Sequence, residues 1–357
     1  MRADAVRAKA VKVKAVKAIR TPGGFSLRID SRASAVVALL TAAVLAAGVL
    51  VIGSGEFPMA PGDVVATLLG NGTAAQEFIV HDLRLPRALV AVLVGGSLAL
   101  SGAVFQTLTR NPLGSPDVIG FGQGSTVGAL TVIVLFHGGQ FAVAGGAVVG
   151  GLATGAAVYL LAWKRGVQGY RLVLVGIGGA AMLTAAIHYL LTKASIVDAT
   201  RATLWITGSL DGRDWAQFWP LLALCAVVVP LVLAHARHLR MLEMGDDAAH
   251  ALGVPVERTR VVLMGSGVLL IAVATAAAGP IAFVALSAPQ LARRLTRSPG
   301  PNLAAGSAMG AALLLAADWI SMNAFGERQL PVGVVTGVLG GCYLLWLLFT
   351  ERKAGRI

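Results

Sequence analysis

The chain has 357 residues, 56% of them hydrophobic and only 13% charged, with a mean hydropathy of +0.78. A globular domain carries about 25% charged residues, so a water-soluble enzyme or binding module is excluded and a lipid-embedded chain is expected. The formal net charge of +12 raises nucleic acid or anionic lipid as partners, and its distribution along the chain decides between them.

Residues 1–32 form a basic tail: nine Lys and Arg stand against Asp4 and Asp30, so seven of the twelve net charges precede the first apolar run. Beside a membrane span, such a tail reads as a positive-inside signal, not as a nucleic-acid arm. Two conformations fit it. One is a Lys-faced helix over AVRAKAVKVKAVKAIR lying on anionic lipid, the other a solvated tail without structure. The apolar run 33–53 exceeds the 7–15 residues of a signal-peptide core and is expected to remain as the first span.

The segment 56–83 is polar and has room for a short surface helix over Asp63–Gly70, after Pro61. Arg84 and Arg87 follow, three apart and so on one helix face; on the residues alone they are a snorkelling anchor. Ala88–Leu108 is uncharged and long enough to span, about 20 residues being needed. It ends in Arg110-Asn111-Pro112-Leu113-Gly114-Ser115-Pro116-Asp117. There Pro112 and Gly114 stop one helix, while Ser115, Pro116 and Asp117 supply the N-cap, first position and dipole-matched acid of the next. Read by itself, the segment is a tight hairpin.

Further apolar runs cover about 118–136, 141–163, 172–192, 217–234, 261–279, 280–292, 303–317 and 330–350. Runs 280–292 and 303–317 fall short of the usual 17–25 residues, so neighbours shield them or they continue into their charged flanks. The polar stretch 194–216 has room for another surface helix. Between the sixth and seventh runs, RMLEMGDDAAHALGVP reads as a short capped helix within about 242–254. Asp246 and Asp247 suit its first turn, Gly253 its stop, and Pro255 bars its return. Adjacent Asp side chains on a helix diverge, which argues against a metal site.

Cys225 and Cys342 lie in apolar runs and read as small packing residues; two isolated cysteines make no disulfide framework. His188 and Asp318 are the ionisable groups deepest in apolar sequence, which makes each a functional candidate. Asp318 falls at the outer end of the ninth run, where interfacial solvation or a helix-end hydrogen bond accounts for it.

Ten crossings put both termini on one side, and that side holds 23 of the 29 Lys and Arg. The positive-inside rule makes it the cytoplasm, with a transmembrane unit at 33–351 and a short tail at 352–357. No G-x-x-x-x-G-K-[ST] loop is present to cradle phosphate. The central helix stretches are Gly, Ala, Leu and Val, without the mid-span carboxylates that couple transport to an ion gradient.

From Arg84 to Phe349 the wording resembles, in order, the FecCD-type permease family, the membrane-spanning subunits of bacterial ABC importers for iron–siderophore complexes, vitamin B12 and haem. NPLGSPDVIGF, LEMGDDAAHALGV, AGPIAFV and QLPVGVVT carry the likeness, and they look most like the second permease of ferric-enterobactin importers. The resemblance implies an all-α membrane protein of about ten transmembrane helices, a BtuC-like type II importer bundle working by alternating access. It implies transport of an iron(III)–siderophore of the catecholate, enterobactin-like class, the alternative being another chelate such as vitamin B12, haem or a hydroxamate siderophore. The chain would be non-catalytic and hold no cofactor, with ATP and Mg on a separate ATPase and iron handled only as its siderophore complex.

The partners so implied are a second homologous permease, two ATP-binding subunits, and an extracytoplasmic siderophore-binding lipoprotein or periplasmic protein. The setting is the plasma (inner) membrane, with lipids and no nucleic acid. By the same resemblance Asn111 and Leu113 line an inner gate, and Gly169 and Tyr170 match a second gate by position rather than identity. Arg84 and Arg87 would meet carboxylates of the binding protein; a third family arginine is replaced by Met322, with Arg328 nearby but out of register. Gly245, Asp246, Asp247, Ala248, Leu252 and Gly253 would form the coupling helix on the ATPase. Gln290 and Gln329 depart from the family's His and Glu at positions read as structural.

Overall fold

The computed structural model describes residues 17–20, 26–164, 166, 169–324 and 329–353. Strands β1 (Lys17–Arg20) and β2 (Ser26–Ile29) pair antiparallel, with Lys17 opposite Ile29. Lys17–Arg20 is therefore extended and not the end of a Lys-faced helix; residues 5–16 of that expected helix lie outside the described residues.

Asp30 caps α1 (Ser31–Gly53), its carboxylate accepting from the N–H groups of Arg32 and Ala33. The surface helix expected after Pro61 is α2 (Pro61–Leu68). Then α3 (Ala74–Glu77), a π-helical segment (Phe78–Arg84) and α4 (Leu85–Thr109) join into one 36-residue helix. The one-turn α5 (Pro116–Ile119) precedes α6 (Phe121–Leu135), α7 (Gln140–Ala162) and α8 (Gly169–Lys193). The second surface helix is α9 (Ile196–Ile206), and α10 (Trp215–Ala234) follows. The short α11 (Ala236–Leu242) and α12 (Asp246–Ala251) lead into α13 (Val256–Ala278). The chain closes with α14 (Val284–Thr296), α15 (Leu303–Asn323) and α16 (Val332–Lys353).

Among the described residues seven helices are long and apolar enough to cross a membrane, and Phe121–Leu135 and Val332–Trp346 are shorter apolar helices. With the 13-residue α14 they compose the ten-helix all-α bundle expected from the sequence.

The bundle is built around α4. Of the most apolar window in Ala74–Thr109, 83% is buried, against 17% for α1 and 11% for α8. Helices α13, α14 and α15 pack around α4. In lipid no hydrophobic drive separates helix from helix, so close backbone approach supplies the adhesion. Gly95 of α4 and Gly310 of α15 meet in this way, and a Cβ on either would overlap the other's carbonyl oxygen.

Several helix ends differ from the sequence reading. Residues 279–283 are not helical, with Gly279 and Phe283 at φ 74° and 69°, so α14 starts at Val284 rather than at residue 280. Its first turn lies inside the bundle: Ala285 backs onto Gly102, about two turns before the end of α4, and Phe283 lies against Gly340 of α16. Non-helical backbone persists at depth only where protein covers it. Here the Ser209 N–H bonds the Ala278 carbonyl, and the Asp117 carboxylate accepts from the Phe283 N–H. The short ninth run continues into its flank, as expected for a run below spanning length: α15 extends past residue 317 to Asn323, through a fully buried Asp318. In the third run Gly120 (φ 97°) separates α5 from α6. Cys225 is buried, its Sγ 3.2 Å from Ser97 Oγ, whereas Cys342 is exposed on α16 and is not the packing residue expected.

Candidate functional site

At one end of the bundle α4 stops at Thr109, and Arg110 turns the chain in the left-handed region (φ 50°, ψ 34°). Asn111 Oδ1 accepts from the Leu113 N–H at 2.9 Å, and the Gly114 N–H returns to the Asn111 carbonyl at 2.9 Å. An Asx turn of this kind is what Asn supplies in place of helix. Ser115 caps α5 through the Val118 N–H, as read from the sequence. Leu113 is left 49% exposed at the tip.

Gly169, the first residue of α8, lies against this loop's base; a Cβ there would come within 2.9 Å of Thr109 Cα. Asn111 and Leu113 thus share one corner with Gly169 and Tyr170, the latter 77% exposed. A residue read as merely structural also holds the loop. Gln290 of α14 donates to the Pro112 carbonyl at 2.6 Å, across 178 residues of sequence, and no local pattern could announce that contact.

The capped segment near residue 245 sits beside the same corner. Gly245 enters α12 at φ 111°, where a side chain would be strained, and Gly253 leaves it at φ 81°. The helix is confined to Asp246–Ala251, inside the expected 242–254. Its two acids point apart. Asp246 accepts from Arg110 at 2.9 Å through Oδ1 and from Arg260 at 2.9 Å through Oδ2. Arg260 is itself buried and bonds Glu257 at 2.8 Å. Arg293 of α14 reaches Glu243 at 3.3 Å. Asp247 is exposed, as are Met244, His250 and Leu252, while Ala248 is half-buried. Of the two acids, Asp247 faces outward and Asp246 is turned into the bundle by the arginines.

The opposite end holds the other arginine pair. Arg84 donates to the carbonyls of Ile52 at 2.8 Å and Phe57 at 2.9 Å. Arg87 forks onto Asp318, with Nη2 to Oδ1 at 2.8 Å and Nε to Oδ2 at 3.1 Å, and also meets Asp211 at 3.3 Å. Both are held by this chain's own groups, and the carboxylates that meet Arg87 are Asp318 and Asp211. Asp318 is held by that fork, not by interfacial solvation or a helix-end bond. Met322 packs half-buried against the core, His188 is exposed on α8, and Arg328 lies outside the described residues. A cleft of about 420 Å³ opens beside Arg87, lined also by Arg201, Thr207, Ser209, Asp211 and Arg213. Burial lowers the Arg213 pKa, with Asp211 and Asp214 opposing the shift.

A largely apolar ten-helix bundle with ion-pair networks gathered at its two ends defines a multi-pass membrane protein. Residues 39–350 match the model of the FecCD transport family, and the chain belongs to that family. It is similar to the ferric enterobactin transport system permease protein FepG of Escherichia coli (strain K12), 46% identical over 315 residues covering 88% of this chain and 96% of that protein. It is also similar to the iron(3+)-hydroxamate import system permease protein FhuG of Bacillus subtilis (strain 168), 35% identical over 303 residues, 82% of this chain and 90% of that one. A solved structure of a metal-chelate type ABC transporter in an inward-facing conformation shares the fold, with a TM-score of 0.77 over 89% of this chain and 99% of that chain at 24% identity.

Proposed function

We propose that the chain is the non-catalytic permease subunit of an ATP-driven importer that carries an iron(III)–siderophore of the catecholate class across the inner membrane. The observation that carries this reading is the 46% identity to an enterobactin permease, sustained over 88% of the chain. The end bearing Arg110, Asp246 and Arg293 is taken as cytoplasmic, because 23 of the 29 Lys and Arg fall on that side.

In this reading the chain pairs with a second homologous permease and two ATP-binding subunits, and it receives substrate from an extracytoplasmic binding protein. ATP and Mg stay on the ATPase, and iron passes only as its chelate. Asn111, Leu113, Gly169 and Tyr170 form the inner gate, which their common corner supports. Helix α12 docks on the ATPase through its exposed Asp247 and Leu252. The binding protein meets the opposite end, where Arg84 and Arg87 stand at the start of α4 as the docking positions. ATP binding biases the bundle between outward- and inward-open states.

A hydroxamate cargo is the second reading, favoured by the likeness to the Bacillus permease at lower identity. Uptake of radioiron by cells carrying the complete importer separates the two when the metal is offered as catecholate or as hydroxamate chelate. Catecholate uptake that depends on this chain is expected; uptake of the hydroxamate alone would move the assignment.

A further inference from the structure

Arg110 occupies a backbone position that favours glycine. It closes α4 at φ 50°, a conformation in which a Cβ crowds the backbone and which glycine adopts freely. The side chain reaches out of the turn to Asp246 at 2.9 Å, and the same carboxylate takes Arg260 of α13 at 2.9 Å. Arg110 and Asp246 are 45% and 39% exposed, so their bond adds little to folding stability. Its placement is what distinguishes it: one end is the first residue of the loop bearing Asn111 and Leu113, the other the first residue of α12. Gly245 brings the two elements together, its Cα side lying beside the Arg110 guanidinium.

We infer that the Arg110–Asp246 bridge is the link by which displacement of α12 moves the Asn111–Leu113 loop, with Arg260 holding Asp246 aimed at Arg110. This rests on the reading of α12 as the ATPase dock. Arg110 and Asp246 are positioning residues: they touch neither substrate nor nucleotide. The loop's other tether is Gln290, which donates to the Pro112 carbonyl.

The test uses the complete importer in proteoliposomes, with R110G, R110K, D246N and the R110G/D246N pair. R110G suits the left-handed turn, so the protein is expected to fold and to melt no lower than wild type. ATPase subunits should remain bound and hydrolysis should continue, while siderophore imported per ATP falls roughly 2- to 30-fold. R110K should restore most of that ratio, and the pair should be no worse than either single variant, as for two ends of one link. A wild-type import ratio in R110G, or losses that multiply in the pair, would overturn the link. Loss of the ATPase subunits from D246N would also overturn it, by assigning Asp246 to the docking face. Failure of the wild-type chain to hold the ATPase would instead refute the reading on which the link rests.

Discussion

Asp318 shows what a single residue does when its partner is far away in sequence. Its side chain is fully buried and is held by two bonds from Arg87, which is itself only 13% exposed. Bidentate, charge-assisted contacts of this kind are among the stronger ones, and breaking a buried pair leaves an uncompensated charge costing about 3–5 kcal/mol. D318A is therefore expected to lower the melting temperature of the purified protein sharply, while R87L/D318L recovers most of the loss. Equal melting of D318A and wild type would show the pair to be idle. The same geometry means that altering Arg87 disturbs the fold before it disturbs any docking. Asp117 makes a second residue-scale case. It faces the Phe283 N–H at the start of α14, where the helix has no side-chain cap of its own. D117A should cost about 0.5–2 kcal/mol, as loss of a cap does, seen as faster amide exchange over residues 283–287. Unchanged exchange there would remove the capping role.

Among the elements, α4 and α15 meet backbone to backbone at Gly95 and Gly310. A leucine at Gly310 must push the helices apart, and overpacking costs about 1–3 kcal/mol; a melting curve and retention of the bundle on size exclusion measure it. Helix α12 is the opposite kind of element. Six residues cannot hold a helix alone, since isolated helices below about 12 residues are marginal in water, and its exposed Asp247 and Leu252 give it a free face. L252D is expected to release the ATPase subunits from the purified complex without unfolding the bundle, and stoichiometric retention would contradict the docking role. Both surface helices and the capped segment were legible because their signals are local: Pro61 at the start of α2, the polar stretch 194–216 that holds α9, and glycines on both sides of α12. The start of α14 and the burial of Asp318 were not. Non-helical backbone from Gly279 to Phe283 reads as apolar helix in one dimension, and Asp318 reads as a helix end until Arg87, 231 residues away, neutralises it. The inward turn of Asp246 was hidden for the same reason, its two arginines coming from α4's end and from α13.

For the molecule as a whole, hydropathy and charge asymmetry convey the ten-helix plan, and the packing adds which helices are central and which peripheral. Helices α4 and α13 are largely buried, whereas α1 and α8 present most of their surface outward. The two ion-pair networks lock opposite ends of the same central helix, Arg87 near its start and Arg110 at its close. The central claim, that this chain conducts a chelate when a partner hydrolyses ATP, is tested most directly by one measurement. The complete importer is placed in proteoliposomes with ATP on the Arg110 side and siderophore-loaded binding protein on the Arg87 side, and iron accumulation is followed after ionophores collapse the proton and sodium gradients. Accumulation that requires ATP and the binding protein and survives the ionophores is the predicted result; accumulation that proceeds without ATP and vanishes with the gradients would contradict the account.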